Sequence, residues 1–515
     1  MRITVIIKLH AVALALTLAA VGPAGAADDA IQIMLPGDAP FLPPQGILVA
    51  ESADDLFLDV PEEGTTEDLA PEKATTSEAP VAPDGTEDAT ADVLFEPDEA
   101  TANVDEAPPQ VKVSGFVQNE LAYTYPDPDH FSKFRTLARL RLNGTLNPRM
   151  KWQLSGTFFY DPIFDIEDRF YPDRVEDDQK LDGWIDESFV DIDADAWEFR
   201  IGRQHIIWGE TVGLFFADVV SALDLREFVL PDFELIRIPQ WAARAEYFSE
   251  DFHAEFIYIP VVTKDNLGEF GGDYRPNPFV LPLGVNGVFV EDKMLNDAGE
   301  DFGVGTRLSY LKDGWDLSTF YYTSPDKTAA FARQLIVSPS AATLIVKPIH
   351  DRIHQVGATL AKDFGTFVLK SEAIQTFNRQ LSVSRLADLD GLQDTDELRY
   401  LIGIDWAGEQ GQNVNLQFFQ TWFQDHDSDM GVKELESGAS ILLTTTGFHP
   451  DITPEVLWIR SLDRNDWLLE AKVTWEFAHD WRGVLGADIF EGPQNRLFGQ
   501  FDNSDRVYYE LRYSF

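Results

Sequence analysis

The chain is 515 residues long, with 88 acidic against 40 basic side chains, a net charge of −48 and a pI near 4.3. So acidic a chain excludes the phosphate backbone of nucleic acid as a partner, and the absence of cysteine excludes a disulfide framework and a lipoprotein anchor. Beyond the first two dozen residues no run of about 18 apolar residues occurs, which excludes a membrane-spanning helix.

At the start, Arg2 and Lys8 precede the apolar run Ala11 to Val21, and Ala24-Gly25-Ala26 is a small-residue cleavage site. This predicts a secretory signal peptide over 1–26, cut before Ala27. Residues 27–110 carry 22 Asp or Glu against one basic residue, Lys73, among abundant Pro, Thr and Ala. Such a segment buries too little apolar surface to offset its ordering entropy, so a disordered, acidic periplasmic spacer is expected. Within it, Asp55-Leu56-Phe57-Leu58-Asp59 is echoed by Asp92-Val93-Leu94-Phe95-Glu96, a pattern that also suits docking to a periplasmic protein.

From Val111 to Phe515 the text becomes short alternating strands and turns. Phe134, Thr136, Ala138, Leu140 and Leu142 alternate with Lys133, Arg135, Arg139 and Arg141; after Asn147-Pro148-Arg149, Trp152, Leu154, Gly156, Phe158 and Tyr160 alternate with Lys151, Gln153, Ser155 and Thr157. The same grammar recurs around 197–207, 241–249, 252–261, 302–312, 315–323, 352–361, 366–377, 397–407, 413–423, 465–477 and 481–491, while 424–464 is ambiguous. In the last strand Val507, Tyr509, Leu511, Tyr513 and Phe515 share one face, and Arg506, Glu510, Arg512 and Ser514 the other. Tight turns such as Lys312-Asp313-Gly314 alternate with long connections, and Trp152, Trp197, Trp241, Trp315, Trp406, Trp467 and Trp481 fall at strand ends. An exported chain of amphipathic strands with no spanning helix is expected to close on itself. The fold class is therefore all-β: a closed antiparallel transmembrane barrel of about 16 strands, with 14 to 18 possible, in the outer membrane of a Gram-negative cell.

The inward faces carry both signs: the basic row Lys133, Arg135, Arg139 and Arg141, then Glu198 with Arg200, Arg244 with Glu246, Lys370 with Glu372, Arg399 with Asp405, Glu470 with Lys472, and Glu510 with Arg512. Ion pairs that line a polar lumen are the plain reading, and ionic selectivity is the alternative. The connection from Gly209 to Trp241 is apolar where water is expected, with Phe215, Phe216, Val219, Leu223 and Phe228 as the candidate plug or substrate path. Ser221, three residues before Asp224, is placed to cap a short helix that Pro231 stops. Two more outer connections are apolar, at 277–283 and 328–349; the connection 161–182 is acidic, which suits a solvated loop or cation-bridged contact with lipopolysaccharide.

Ile201-Gly202-Arg203-Gln204, Trp208-Gly209-Glu210 and Asp224-Leu225-Arg226-Glu227-Phe228, with Phe498-Gly499-Gln500-Phe501 and the terminal strand, resemble a bacterial family of outer-membrane barrels, domain of unknown function 1302. The resemblance covers most of 111–515. It implies a conduit for hydrophobic or amphipathic, lipid-like solutes that works with a periplasmic protein and an inner-membrane exporter of the resistance–nodulation–division (RND) type. The aromatic face Tyr509, Leu511, Tyr513 and Phe515 is similar to the signal that the barrel-assembly machinery recognises. Gly202 and Gly209 suit a kink where the strand leaves the wall, and Gln204, Trp208, Asp224 and the charges Arg203, Glu210, Arg226 and Glu227 are candidates for anchoring the plug.

Two other functions are weighed. His130-Phe131-Ser132 matches an outer-membrane phospholipase pattern poorly, because Lys133-Phe134 follows, and the nine His residues show no metal-ligand spacing. No catalytic residue, metal or cofactor is assigned. A general or substrate-selective diffusion porin is the alternative, and the apolar connections count against it.

Overall fold

A computed structural model describes residues 111–515 apart from 168–169, 210–217, 277–284, 291, 293, 338–341 and 386–387. The expected signal peptide and acidic segment, and Glu210, Phe215, Phe216 and the apolar stretch 277–283, lie outside the described residues.

Eighteen antiparallel strands follow in chain order: β1 (Lys112–Thr124), β2 (Thr136–Asn147), β3 (Met150–Tyr160), β4 (Leu181–Ala194), β5 (Trp197–Gln204), β6 (Gln240–Ser249), β7 (Phe252–Ile259), β8 (Gly303–Lys312), β9 (Trp315–Pro325), β10 (Arg352–Asp363), β11 (Phe367–Ser382), β12 (Leu392–Ala407), β13 (Gln412–Phe423), β14 (Leu435–Thr445), β15 (Ile452–Ser461), β16 (Trp467–Ala478), β17 (Trp481–Glu491) and β18 (Arg506–Ser514). Each pairs with the next, and β18 returns to β1 from Phe116↔Ser514 to Thr124↔Arg506, so no edge is left open. The count stands at the top of the expected range because 424–464 holds the full hairpin β14–β15.

Period-two alternation sets the two faces. On β3, Leu154, Phe158 and Tyr160 are exposed while Gln153, Ser155 and Thr157 are buried; on β18, Tyr509, Leu511, Tyr513 and Phe515 are exposed while Arg506 and Arg512 are buried. The exposed apolar face meets lipid and the buried one the lumen. Tight turns close one rim: Asp313 and Gly314 both have positive φ, 53° and 71°, the geometry a two-residue hairpin needs. Outward rings pack side by side at that rim, Trp197 on Tyr247 at 5.0 Å, Phe252 on Tyr310 at 5.0 Å and Trp481 on Tyr513 at 4.9 Å.

The opposite rim carries the long connections. There Ala330–Val337 and Ala342–Ile349 form a hairpin, with Val285–Phe289 added in parallel. The basic row does not lie on one strand. Lys133 ends the separate strand His130–Lys133, which pairs with the outer end of β1, and β2 begins only at Thr136. Arg135 sits at the break, where its carbonyl accepts from the Glu120 amide, so Lys133 and Arg135 reach the lumen from the rim.

Candidate functional site

The described residues of the connection between β5 and β6, 205–209 and 218–239, pack against the inner wall. No helix starts at Ser221. Instead Ala222–Leu223 pairs with Arg237–Ile238, and the helical turn is Phe233–Ile236, beyond Pro231. Local bonding decides this: the Ser221 hydroxyl donates to the Ile206 carbonyl at 3.1 Å, and the Leu223 amide donates to Asp265 at 3.0 Å. Both groups are then committed to neighbours outside a helix. The next outer connection adds Leu225 N to Asn266 O at 2.7 Å and Asn266 N to Leu223 O at 2.8 Å.

Nine plug side chains, Ile206, Trp208, Val219, Val220, Leu223, Leu225, Phe228, Val229 and Ile236, join one apolar cluster with the wall. Each contributes roughly 1.5–3 kcal/mol on burial. Packing is therefore one of the plug's two holds, beside its ion pairs with the wall. Trp208 is fully buried, donates its indole N–H to Glu255 at 3.0 Å and lies against Phe320 and Tyr322. Phe228 sits at φ 57°, a strained setting for an aromatic residue, with its ring among Phe490, Phe498 and Phe501. Two of the stretches that carried the family resemblance, 224–228 and 498–501, therefore meet.

The wall itself has two unlike parts. From β7 to β17 the inward series includes Ile257, Phe320, Ile374, Leu401, Phe419, Leu442, Leu457, Ile459, Leu468 and Phe490, all buried. Register places Leu401 beside Phe419, Leu442 beside Leu457, and Ile459 beside Leu468, which in turn neighbours Phe490. Inward glycines let rings lie flat: Phe320 fills the space a Cβ would take at Gly357, Phe419 that at Gly438, and Trp208 that at Gly305. This part of the wall thus carries an apolar patch, set among inward charged and polar residues such as Glu255, Arg307, Glu372, Arg379, Glu397 and Glu436, that keeps its bulk out of the lumen.

Around the closing seam, from β16 through β18 to β2, the inward face is ionic, and plug carboxylates meet it. Glu227 pairs with Lys133, with Arg135 at 2.8 Å and with Arg506 at 3.2 Å. Asp232 faces Lys472 and Arg482, each at 3.6 Å, and Arg512 at 3.7 Å. Glu234 pairs with Arg139 and lies 3.6 Å from Arg512. Burial pushes the Asp232 carboxyl up, but Lys472, Arg482 and Arg512 outweigh it and hold the group at about 2. Glu227 is likewise held well below the usual carboxylate range, with Arg135, Lys133 and Arg506 overcoming its burial. Wall carboxylates share the same cations: Glu120 with Lys133 and Arg135, Asp186 with Arg139, and Asp488 with Arg506.

The other candidates fall as follows. Arg226 binds Asp224 at 2.6 Å, and it ties the plug to the acidic connection through the Asp178 carbonyl at 3.0 Å and to the start of β4 through Asp182 at 3.1 Å. At Gly202, φ is 142°, and a Cβ would strike the Ser188 carbonyl, so the position needs glycine, while β5 keeps its pairing with both neighbours through it to Arg203. Gln204 is fully buried and donates to the Ala242 carbonyl at 3.2 Å; Gly209, half-buried, follows Trp208. Arg203 falls in the outward series of β5 after Phe199 and Ile201, opposite Trp241, and is not brought to the plug's ionic contacts. Arg141 is buried on the inward face of β2; Arg244 pairs with Glu246 at 2.8 Å. Arg399 pairs with Glu397 at 2.8 Å and Asp405 with Lys370 at 3.0 Å, not with each other.

Arg399 also lines a polar cavity between plug and wall with Asp218, Asp265, Asp326, Lys327 and Arg379. Burial lowers the Lys327 ammonium, which donates to the Asp218 and Ser221 carbonyls. His130 uses both ring nitrogens, Nδ1 on the Pro128 carbonyl at 2.9 Å and Nε2 on Asp273 at 3.2 Å. Burial works to lower its pKa, but the Asp273 bond and charge raise it more. Sequence reading missed Asp232 and Glu234, whose only signal is an acid beside an apolar residue within an apolar stretch.

Among solved structures, the chain is similar to Acinetobacter baumannii OccAB1 at 10% identity, with 78% of this chain and 95% of that one covered and a TM-score of 0.49. It is similar to Pseudomonas aeruginosa OccD3 (OpdP) at 9% identity, with 78% and 91% covered and a TM-score of 0.47. It is also similar to Salmonella typhi OmpF, solved in complex with daunomycin, at 10% identity, with 79% and 97% covered and a TM-score of 0.39. No curated protein matches the chain. The model of the family described as "Protein of unknown function (DUF1302)" matches residues 9–515.

Proposed function

The chain belongs to the DUF1302 family of proteins of unknown function, and we propose that this outer-membrane barrel is a conduit for hydrophobic or amphipathic, lipid-like solutes. The apolar patch on the inner wall between β7 and β17 supports the reading. Inward polar groups line these strands too, but where the plug packs, its apolar residues share one cluster with Ile257, Phe320, Leu401, Phe419, Leu457 and Phe490, a surface that suits an acyl chain. An apolar chain that replaced those plug residues would keep the wall dry. We include in the proposal a periplasmic protein and an RND-type inner-membrane transporter, as the family resemblance implies, and contact with lipopolysaccharide at the outer rim.

A second reading, a substrate-selective diffusion porin, is favoured by the ionic seam, which would line an aqueous path if the plug stood aside. Proteoliposomes holding the full chain separate the two. The conduit reading expects faster exchange of a fluorescent acyl-chain probe between vesicles, with no swelling in sugars or amino acids. Fast swelling with no acyl-chain exchange would replace it with the porin.

A further inference from the structure

Resting on the conduit reading, we propose that the plug's acidic segment occupies the headgroup site of the solute, and that the solute is an anionic amphiphile, an acyl chain ending in a carboxylate or a phosphate. The plug imitates such a molecule at its own contacts. Glu227 places its carboxylate among Lys133, Arg135 and Arg506, and the next residue, Phe228, places its ring among Phe490, Phe498 and Phe501. The boundary between the ionic and apolar parts of the lumen therefore runs between two adjacent residues. Glu234 repeats the arrangement: its carboxylate meets Arg139 and Arg512, and two residues on Ile236 is fully buried in the apolar cluster.

Asp232 shows that the cradle is larger than its occupant. A charge-assisted bond runs at about 2.7–2.9 Å, yet its three cations stand 3.6, 3.6 and 3.7 Å away, spread over β16, β17 and β18. Asp232 thus bonds none of them at that length, although Lys472 also faces Glu455 at 3.6 Å and Arg512 donates to Gln118 at 2.5 Å, and an anion with more oxygens would reach all three. Wall carboxylates Glu455, Glu470 and Glu510 share this part of the lumen and keep the site from holding free anions indiscriminately. An anionic head that takes the seam displaces the plug acids, and its chain takes the apolar wall the plug leaves. Because the plug competes for the site, apparent affinity falls in proportion to the time the plug is docked.

That competition gives a test of unusual sign. The full chain, purified in detergent, is titrated with oleate, oleyl phosphate, oleyl alcohol and acetate, and assembly is checked by heat-modifiable migration. Asp232→Asn/Glu234→Gln should bind oleate or oleyl phosphate about tenfold more tightly, about 1.4 kcal/mol, with the alcohol unchanged. Arg482→Gln/Arg512→Gln should bind both anions at least tenfold more weakly. If the first double variant does not assemble, Glu234→Gln alone, whose side chain is 32% exposed, should tighten binding about threefold. Whichever of oleate and oleyl phosphate binds more tightly identifies the head. Unchanged or weaker anion binding by the plug variants, wild-type binding of the alcohol equal to that of both anions, or acetate binding as tightly as oleate would overturn the inference and leave the conduit standing. Binding of no acyl-chain probe at all would remove the conduit reading itself.

Discussion

Around the closing seam the inner wall meets the plug with cations, and from β7 to β17 it meets it mainly with rings and branched chains, the polar cavity at Arg379 and Arg399 and the Trp208–Glu255 bond apart. The two contacts respond to different things. Ion pairs respond to a competing anion and lose 3–5 kcal/mol when one buried partner is removed (an order-of-magnitude value, about a thousandfold). Apolar contacts respond to size and shape and are not screened by salt. A plug held in both ways yields fully only to a molecule that is anionic at one end and apolar at the other.

The largest effect is expected where the apolar contact is deepest. Trp208→Ala removes a fully buried ring and the donor to Glu255, costing about 3–5 kcal/mol of plug packing. The barrel should still assemble, and single-channel recordings should show a plug that opens in low and high salt alike. A variant as closed as the wild type would mean that the seam alone holds the plug.

A smaller effect is expected at the outer rim, where protons sharpen the contrast. Burial pushes Asp505 from its ordinary 3.8 up to about 7, although the Phe490 amide and the Tyr125 hydroxyl bond to it; Asp502 and Glu491 add to the rise. A carboxyl raised on folding stabilises the fold while protonated, so its advantage is lost as pH climbs from about 4 through 7. His130, raised by Asp273, contributes stability below its ordinary 6.5 and loses it as pH rises through its folded value. Both act in one direction, so the 492–505 connection beside Phe228 should loosen from pH 5 to pH 8. Amide hydrogen exchange, corrected for intrinsic rates, measures this, and Asp505→Asn should remove most of the change. Protection that rises with pH would contradict the assignment.

Alternation of side chains made the barrel legible, because a strand with one face in lipid and one in the lumen cannot hide its period. The ambiguous 424–464 shows the limit: Ile441-Leu442-Leu443 is apolar on both faces and Pro454 interrupts β15, so the hairpin surfaced only in the pairing. The greasy stretch after Gly209 announced a plug but not its form. Ser221 looked like a helix cap, and its bond to Ile206, fifteen residues back, cannot be read from spacing. Least legible was the apolar wall. Ile374 stands between Glu372 and Thr376, and Leu401 between Arg399 and Gly403, so each looks like an exception in a polar series. Only cross-strand register gathers such exceptions into one surface.

Mass spectrometry of small molecules that co-purify with the full chain from outer membranes tests the central claim most directly, with Leu401→Glu/Leu457→Glu as the paired variant. The account predicts an acyl-chain anion enriched with the wild type and depleted when the two charges interrupt the apolar wall. No bound amphiphile on either protein, together with large steady ion conductance of the wild type in planar bilayers, would contradict it and leave a diffusion porin.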